Sequence, residues 1–138
     1  MSVNYSQAGR RHFDDCRTLE TLRRAGSASH LAGLAAECAL KAVLQGLCLL
    51  TLDTKGVPEK PEHRKHVDKI WNEFQTALSG HPATLCALDG GNPFDDWRIE
   101  HRYEADSTID LAMAEKHRLG AEKALLLLER ARIEGVVA

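Results

Sequence analysis

The sequence predicts an all-α fold, and three observations carry that expectation. Ala and Leu dominate the apolar residues while aromatic residues make up only 5%, a bias toward helix over strand. Apolar positions recur at spacings of three and four along four long stretches, the period of a helix with one inward face. No stretch sustains the period-two alternation of a half-buried strand. With short loops between the stretches, the expected architecture is an antiparallel bundle of four to five helices. The 138 residues are expected to form a single helical-bundle domain, 1–138, being long enough for one core and too short for two.

The first helix is expected from Tyr5 to Arg24, with Tyr5, Ala8, His12, Cys16 and Leu19 as its inward stripe. Gly26 is expected to stop it, and Ser27 or Ser29 to cap the next helix. That second helix is expected from Ser29 to Leu50 and is apolar nearly all round, as a central helix is. Its small residues Ala32, Gly33, Ala35, Ala36, Ala39 and Ala42 let neighbours approach closely. A thin polar stripe remains on it: His30, Glu37, Lys41 and Gln45. After a loop from Thr51 to Glu62, a third helix is expected from His63 to Ser79, with Val67, Ile70, Trp71, Phe74 and Leu78 facing inward. The stretch from Pro82 to Asp110 is the least regular. A short helix is expected at Thr84 to Leu88, a turn at Gly90-Gly91-Asn92-Pro93, and partial helix from Trp97 to Ala105. Ser107 or Thr108 is expected to cap a last helix from Ile109 to Ile133, with Ala114, Ala121, Leu125 and Leu128 inside.

Charge and cysteine usage exclude several function classes. Eighteen Lys and Arg against 20 Asp and Glu give a net charge of -2, which argues against a uniformly basic nucleic-acid coat. Cys16, Cys38, Cys48 and Cys86 form no C-x-x-C pair, so a zinc ribbon or thioredoxin-like site is not expected, and reduced buried thiols are. The stretch Met1 to Arg11 lacks the apolar run of a signal peptide. The apolar stretch Leu31 to Leu50 is interrupted by Glu37, Lys41 and Gln45, which are costly in lipid. The expectation is a cytoplasmic protein with no membrane association.

No P-loop, dinucleotide-binding glycine motif or nucleophile elbow occurs. Three clusters can carry chemistry. His63, His66 and Asp68 lie near one another in a basic string with Arg64, Lys65 and Lys69. Two histidines three apart on a helix can share a metal, but a third ligand of clear identity is missing, so no metal or other cofactor is expected. Glu37 and Lys41 form an i,i+4 pair that faces either water or a partner subunit. The third cluster, Trp97-Arg98-Ile99-Glu100-His101-Arg102-Tyr103, suits RNA phosphodiesters. A His can exchange the 2'-OH proton and an Arg can hold the phosphate and its developing charge, with no metal needed. The bland reading of the same residues is an ion-paired helix, with Glu100 and Glu104 neutralising Arg98 and Arg102.

At these residues the chain resembles the HEPN superfamily of small helical-bundle proteins. The string from Leu34 to Leu44, with Glu37 upstream of Leu40-Lys41-Ala42, looks like that family's second helix. His66-Val67-Asp68-Lys69-Ile70-Trp71 is similar to its third, and His101-Arg102-Tyr103 to its late His-x-Tyr element. The resemblance implies a homodimer in a toxin–antitoxin, CRISPR-type or other defence system, with RNA or a nucleotidyltransferase-type antitoxin as partner. Active members are metal-independent endoribonucleases that pair an Arg and a His, separated by four to six residues, across the dimer cleft. Here only two residues separate Arg98 from His101, and Asp96 stands where the arginine of the commonest spacing would. An RNA- or partner-binding module with a degenerate Arg/His site is therefore expected. The alternative is an active endoribonuclease, with His101 as general acid/base, Arg98 as phosphate clamp and Tyr103 as positioning hydroxyl. Arg102, Glu37 and Lys41 are the expected substrate-binding residues.

Overall fold

The computed structural model describes residues 2–81, 88 and 90–138. They form four α-helices, α1 (Tyr5–Thr21), α2 (Ala25–Gly46), α3 (Val67–Ser79) and α4 (Leu111–Ile133). Short 3-10 turns lie at Pro61–His63, Ile99–Tyr103 and Asp106–Thr108. The all-α expectation holds among the described residues. The short helix expected at 84–88 and Cys86 lie outside them, Leu88 excepted, which is buried.

α2 is the central helix and packs against α1, α3 and α4. Its alanines do what their size predicts: Ala28, Ala32, Ala35, Ala36 and Ala39 are all fully buried, and they bring backbones close. α1 folds back along α2 as an antiparallel hairpin, with Gly9 against the backbone of Ala35 and Ala39. The link between them is tighter than the glycine and serines suggest. α1 ends at Thr21, Arg23 takes a left-handed φ of 61°, and Arg24 is the N-cap of α2. Gly26, Ser27 and Ser29 therefore sit inside α2 instead of before it.

α4 runs parallel to α2. Ser29 meets His117 near the start of both helices, and Gly46 at the end of α2 meets Val136 just beyond the end of α4. The expected antiparallel order thus holds for α1 with α2, and for α1 with α4, where Glu20 pairs with Arg118 and Arg10 with Glu129. The parallel course of α2 and α4 is the one that alternating directions give to a second and a fourth helix, the connection 47–110 returning the chain to the start of α2. The N-cap of α4 is Asp110, whose carboxylate accepts the Met113 N–H at 2.8 Å, rather than Ser107 or Thr108.

α3 starts at Val67, four residues later than its apolar period suggested, because 61–63 close into a 3-10 turn. Its apolar face is as expected: Val67, Ile70, Trp71 and Phe74 are fully buried. Cys16 is buried, as expected, but Cys38 is half-buried and Cys48 is exposed with a left-handed φ of 61° just after α2. No helix among the described residues is long and apolar enough to cross a membrane.

Candidate functional site

The segment 92–98 has no regular structure, yet it carries Asp96 and the two aromatic anchors that hold it against α2 and α4. Asn92 shapes it: its amide oxygen accepts the Phe94 N–H at 2.8 Å and its amide nitrogen donates to the Asp68 carbonyl at 2.8 Å. Phe94 and Trp97 are then inserted into the bundle, 0% and 1% exposed. Each enters where a helix carries a glycine. A methyl group on Gly120 of α4 would stand 2.9 Å from the Phe94 ring, and one on Gly33 of α2 would stand 2.2 Å from the Trp97 indole. The Trp97 Nε1–H donates to the Ser29 carbonyl at 2.9 Å.

Asp96, between these two anchors, accepts hydrogen bonds from Lys116 and from His117 Nε2, the latter at 2.8 Å. The other ring nitrogen of His117 lies 2.6 Å from Ser29 Oγ. A neutral imidazole protonated on Nε2 satisfies all of this, donating to the carboxylate and accepting from the serine hydroxyl. Burial pushes the His117 pKa down despite the carboxylate, which favours that neutral form. Burial would raise the Asp96 pKa, but the hydrogen bonds from Lys116 and His117 outweigh it and hold the pKa below the usual value. The order Ser–His–Asp looks like a hydrolase triad. However, Ser29 is 1% exposed and His117 0%, so no acyl group can reach the hydroxyl, and the relay is a positioning network.

Next to this network lies a cavity of about 550 Å³ at the start of α2. Arg23, Arg24, His30, His101 and Arg102 line it, with Glu104, Asp106 and Asp110 on the same wall. The α2 N-terminus opens into it with no side-chain cap, so its free N–H groups add positive potential. His30 Nδ1 is buried without a hydrogen-bond partner. Burial, followed by the charges of Arg102, His12 and His66, lowers the His30 pKa.

Of the residues expected from sequence, His101 and Arg102 reach this cavity. His101 is half-buried, and its Nδ1 accepts the Arg98 backbone N–H in a long bond of 3.4 Å. Arg98 is exposed, caps the 3-10 turn, and is absent from the cavity wall. Tyr103 is 78% exposed and also outside it, its ring covered by the Arg102 guanidinium at 4.8 Å. Of the expected catalytic set, the cavity therefore takes His101 but neither Arg98 nor Tyr103.

Glu37 and Lys41 form a separate cluster. Their side chains are 13% and 7% exposed and 3.1 Å apart, so the pair is mostly buried rather than on a wet face. Glu37 also bonds His66 Nδ1 at 3.0 Å, and this bond raises the His66 pKa against the opposing effect of burial. The two clusters meet on Trp97, which stacks on His30 at 6.0 Å and tilts against His66 at 6.3 Å. His63, buried in its 3-10 turn, shares no helix face with His66. Among the described residues no three His, Cys, Asp or Glu side chains are grouped to hold a metal ion.

Sequence reasoning missed Ser29, Asp96 and His117 as a unit, and Arg23 and Arg24 as cavity residues. The only signals were a histidine among the apolar residues of the inner face of α4 and glycines within two long helices. No family model, curated protein or solved structure matches this chain.

Proposed function

We propose that this chain is a HEPN-like homodimeric module of a toxin–antitoxin or defence system that binds RNA without cutting it, its Arg/His site being degenerate. The observation that carries this reading is the cavity at the start of α2, with Arg23, Arg24, Arg102, His30 and His101 in its wall. Asp110 is already committed to capping α4. Three guanidiniums balance the carboxylates of Glu104, Asp106 and Asp110, and the uncapped helix N-terminus adds the positive potential that suits phosphate oxygens. Cleavage needs a second group opposite the histidine. Arg98 faces solvent, and Asp96 is bound to Lys116 and His117, so neither supports that role.

The experiment is a titration of labelled single-stranded RNA, followed by anisotropy at low and moderate salt. Wild type is expected to bind with an affinity that falls as salt rises, and Arg24→Ala with Arg102→Ala is expected to bind more weakly with a shallower slope. Absence of binding by wild type at low salt would refute RNA as the ligand. Co-purification with a nucleotidyltransferase-type antitoxin would then favour the partner-binding form of the module.

A further inference from the structure

The outer face of α4 carries an apolar row that the bundle does not use. Leu119, Leu126 and Ile133 are seven residues apart and 47%, 64% and 72% exposed. Exposed Ala112 continues the row toward the helix start. Residues three and four positions further along lie on either side of such a row. On one side these are Glu115, Glu122 and Glu129, and on the other Lys116, Lys123 and Arg130. α4 thus presents a seam of large aliphatic side chains with an acidic edge and a basic edge.

From this arrangement we infer that α4 pairs with α4 of a second copy of this chain, the two helices running parallel about a twofold axis along their length. The charges select that occupant and that direction. In a parallel twofold pair the acidic edge of one helix faces the basic edge of the other, on both sides of the seam. In an antiparallel twofold pair, acid would face acid and base would face base. The charged side chains also have partners within their own chain: Glu122 with Arg118, Glu129 with Arg132, Lys116 with Asp96 and Arg130 with Glu134. Such exposed pairs contribute little, so exchanging them for intermolecular ones costs little. One large apolar side chain per two turns makes a narrow seam, which belongs with the weaker class of interface.

This inference deepens the homodimer of the proposed function by naming its face, and the RNA cavity lies on other residues. The test is sedimentation equilibrium of the full chain from about 10 µM to about 1 mM, the range of a small interface. Wild type is expected to show a monomer–dimer equilibrium. Leu126→Lys, at a position 64% exposed and so harmless to the fold, is expected to leave monomer only. Glu115→Lys with Glu122→Lys, and separately Lys123→Glu with Arg130→Glu, are each expected to raise the dimer dissociation constant at least about tenfold. An equimolar mixture of those two variants is expected to recover the dimer. A wild-type monomer throughout the range overturns the inference, as does a dimer indifferent to Leu126→Lys or to the charge reversals. RNA titration of the same variants separates the two readings. A monomeric wild type that still binds RNA refutes only this face, whereas absent RNA binding by a dimeric wild type refutes only the ligand.

Discussion

The indole of Trp97 fills the space that a side chain on Gly33 would need, and the Trp97 Nε1–H donates to the carbonyl of Ser29 one helical turn earlier. This contact fixes the irregular segment 92–98 to the central helix and sets the positions of Asp96 and His101 on either side of it.

Gly33→Ala is expected to destabilise the protein by about 2 kcal/mol, since a rigid, fully packed ring cannot yield to an added methyl. Alanine's better helix propensity, about 1 kcal/mol, offsets only part of that cost. The measurement is the urea midpoint, followed by tryptophan fluorescence. A variant as stable as wild type would show that the notch does not hold Trp97.

Ser29→Ala leaves His117 Nδ1 buried without a donor and is expected to cost about 1–3 kcal/mol. It is expected to leave RNA binding unchanged once folded, because Ser29 is buried and outside the cavity wall. Loss of RNA affinity at full folding would give the relay a direct role.

Stability is expected to fall on acidification from pH 7.5 to pH 5. Burial lowers the pKa values of His12, His30, His63 and His117 in the folded state. Between the lowered pKa and the ordinary value near 6.5 the unfolded chain binds more protons, so stability is full above that value and declines below it. His66, whose pKa is raised by Glu37, acts in the opposite sense, its contribution being present at low pH and lost as pH rises through the raised value. Four depressed groups oppose one raised group whose side chain is 46% exposed, so the net direction is loss. Equal urea midpoints at both pH values would contradict this.

Glu37→Gln strands the Lys41 ammonium, whose side chain is only 7% exposed. A loss of about 3 kcal/mol is expected, as for a broken buried pair. Glu37→Gln combined with Lys41→Met is expected to recover most of it, since no unpaired charge remains. A double variant no better than the single one would mean that the bond to His66, not the pair with Lys41, is what Glu37 supplies.

The helices were legible in the sequence because each buries a periodic face. The inward residues of α3 and the many buried positions of α2 follow from spacing alone, whereas of the stripe expected on α1 only Cys16 is buried and Tyr5, Ala8, His12 and Leu19 are half-buried. The ends were less so, because the exposed link at Leu22–Arg24 turns on a left-handed Arg23 that no glycine marks, and a 3-10 turn at Pro61–His63 takes the residues before α3. The direct packing of α4 on α2 is set by the irregular connection, which carries no period. The site was half legible for the same reason. His101 and Arg102 are near neighbours in sequence, whereas Ser29, Asp96 and His117 come together only through the Trp97 and Phe94 anchors.

The most direct test of binding without cleavage is a time course with a mixed tRNA and messenger RNA pool in chelator, comparing wild type with His101→Ala. At stoichiometric protein, with no co-purified inhibitor present, the account predicts RNA that is bound by wild type yet intact with both proteins. Cleavage by wild type that is lost in His101→Ala would contradict it and identify a metal-independent ribonuclease in which Arg98 acts despite its spacing.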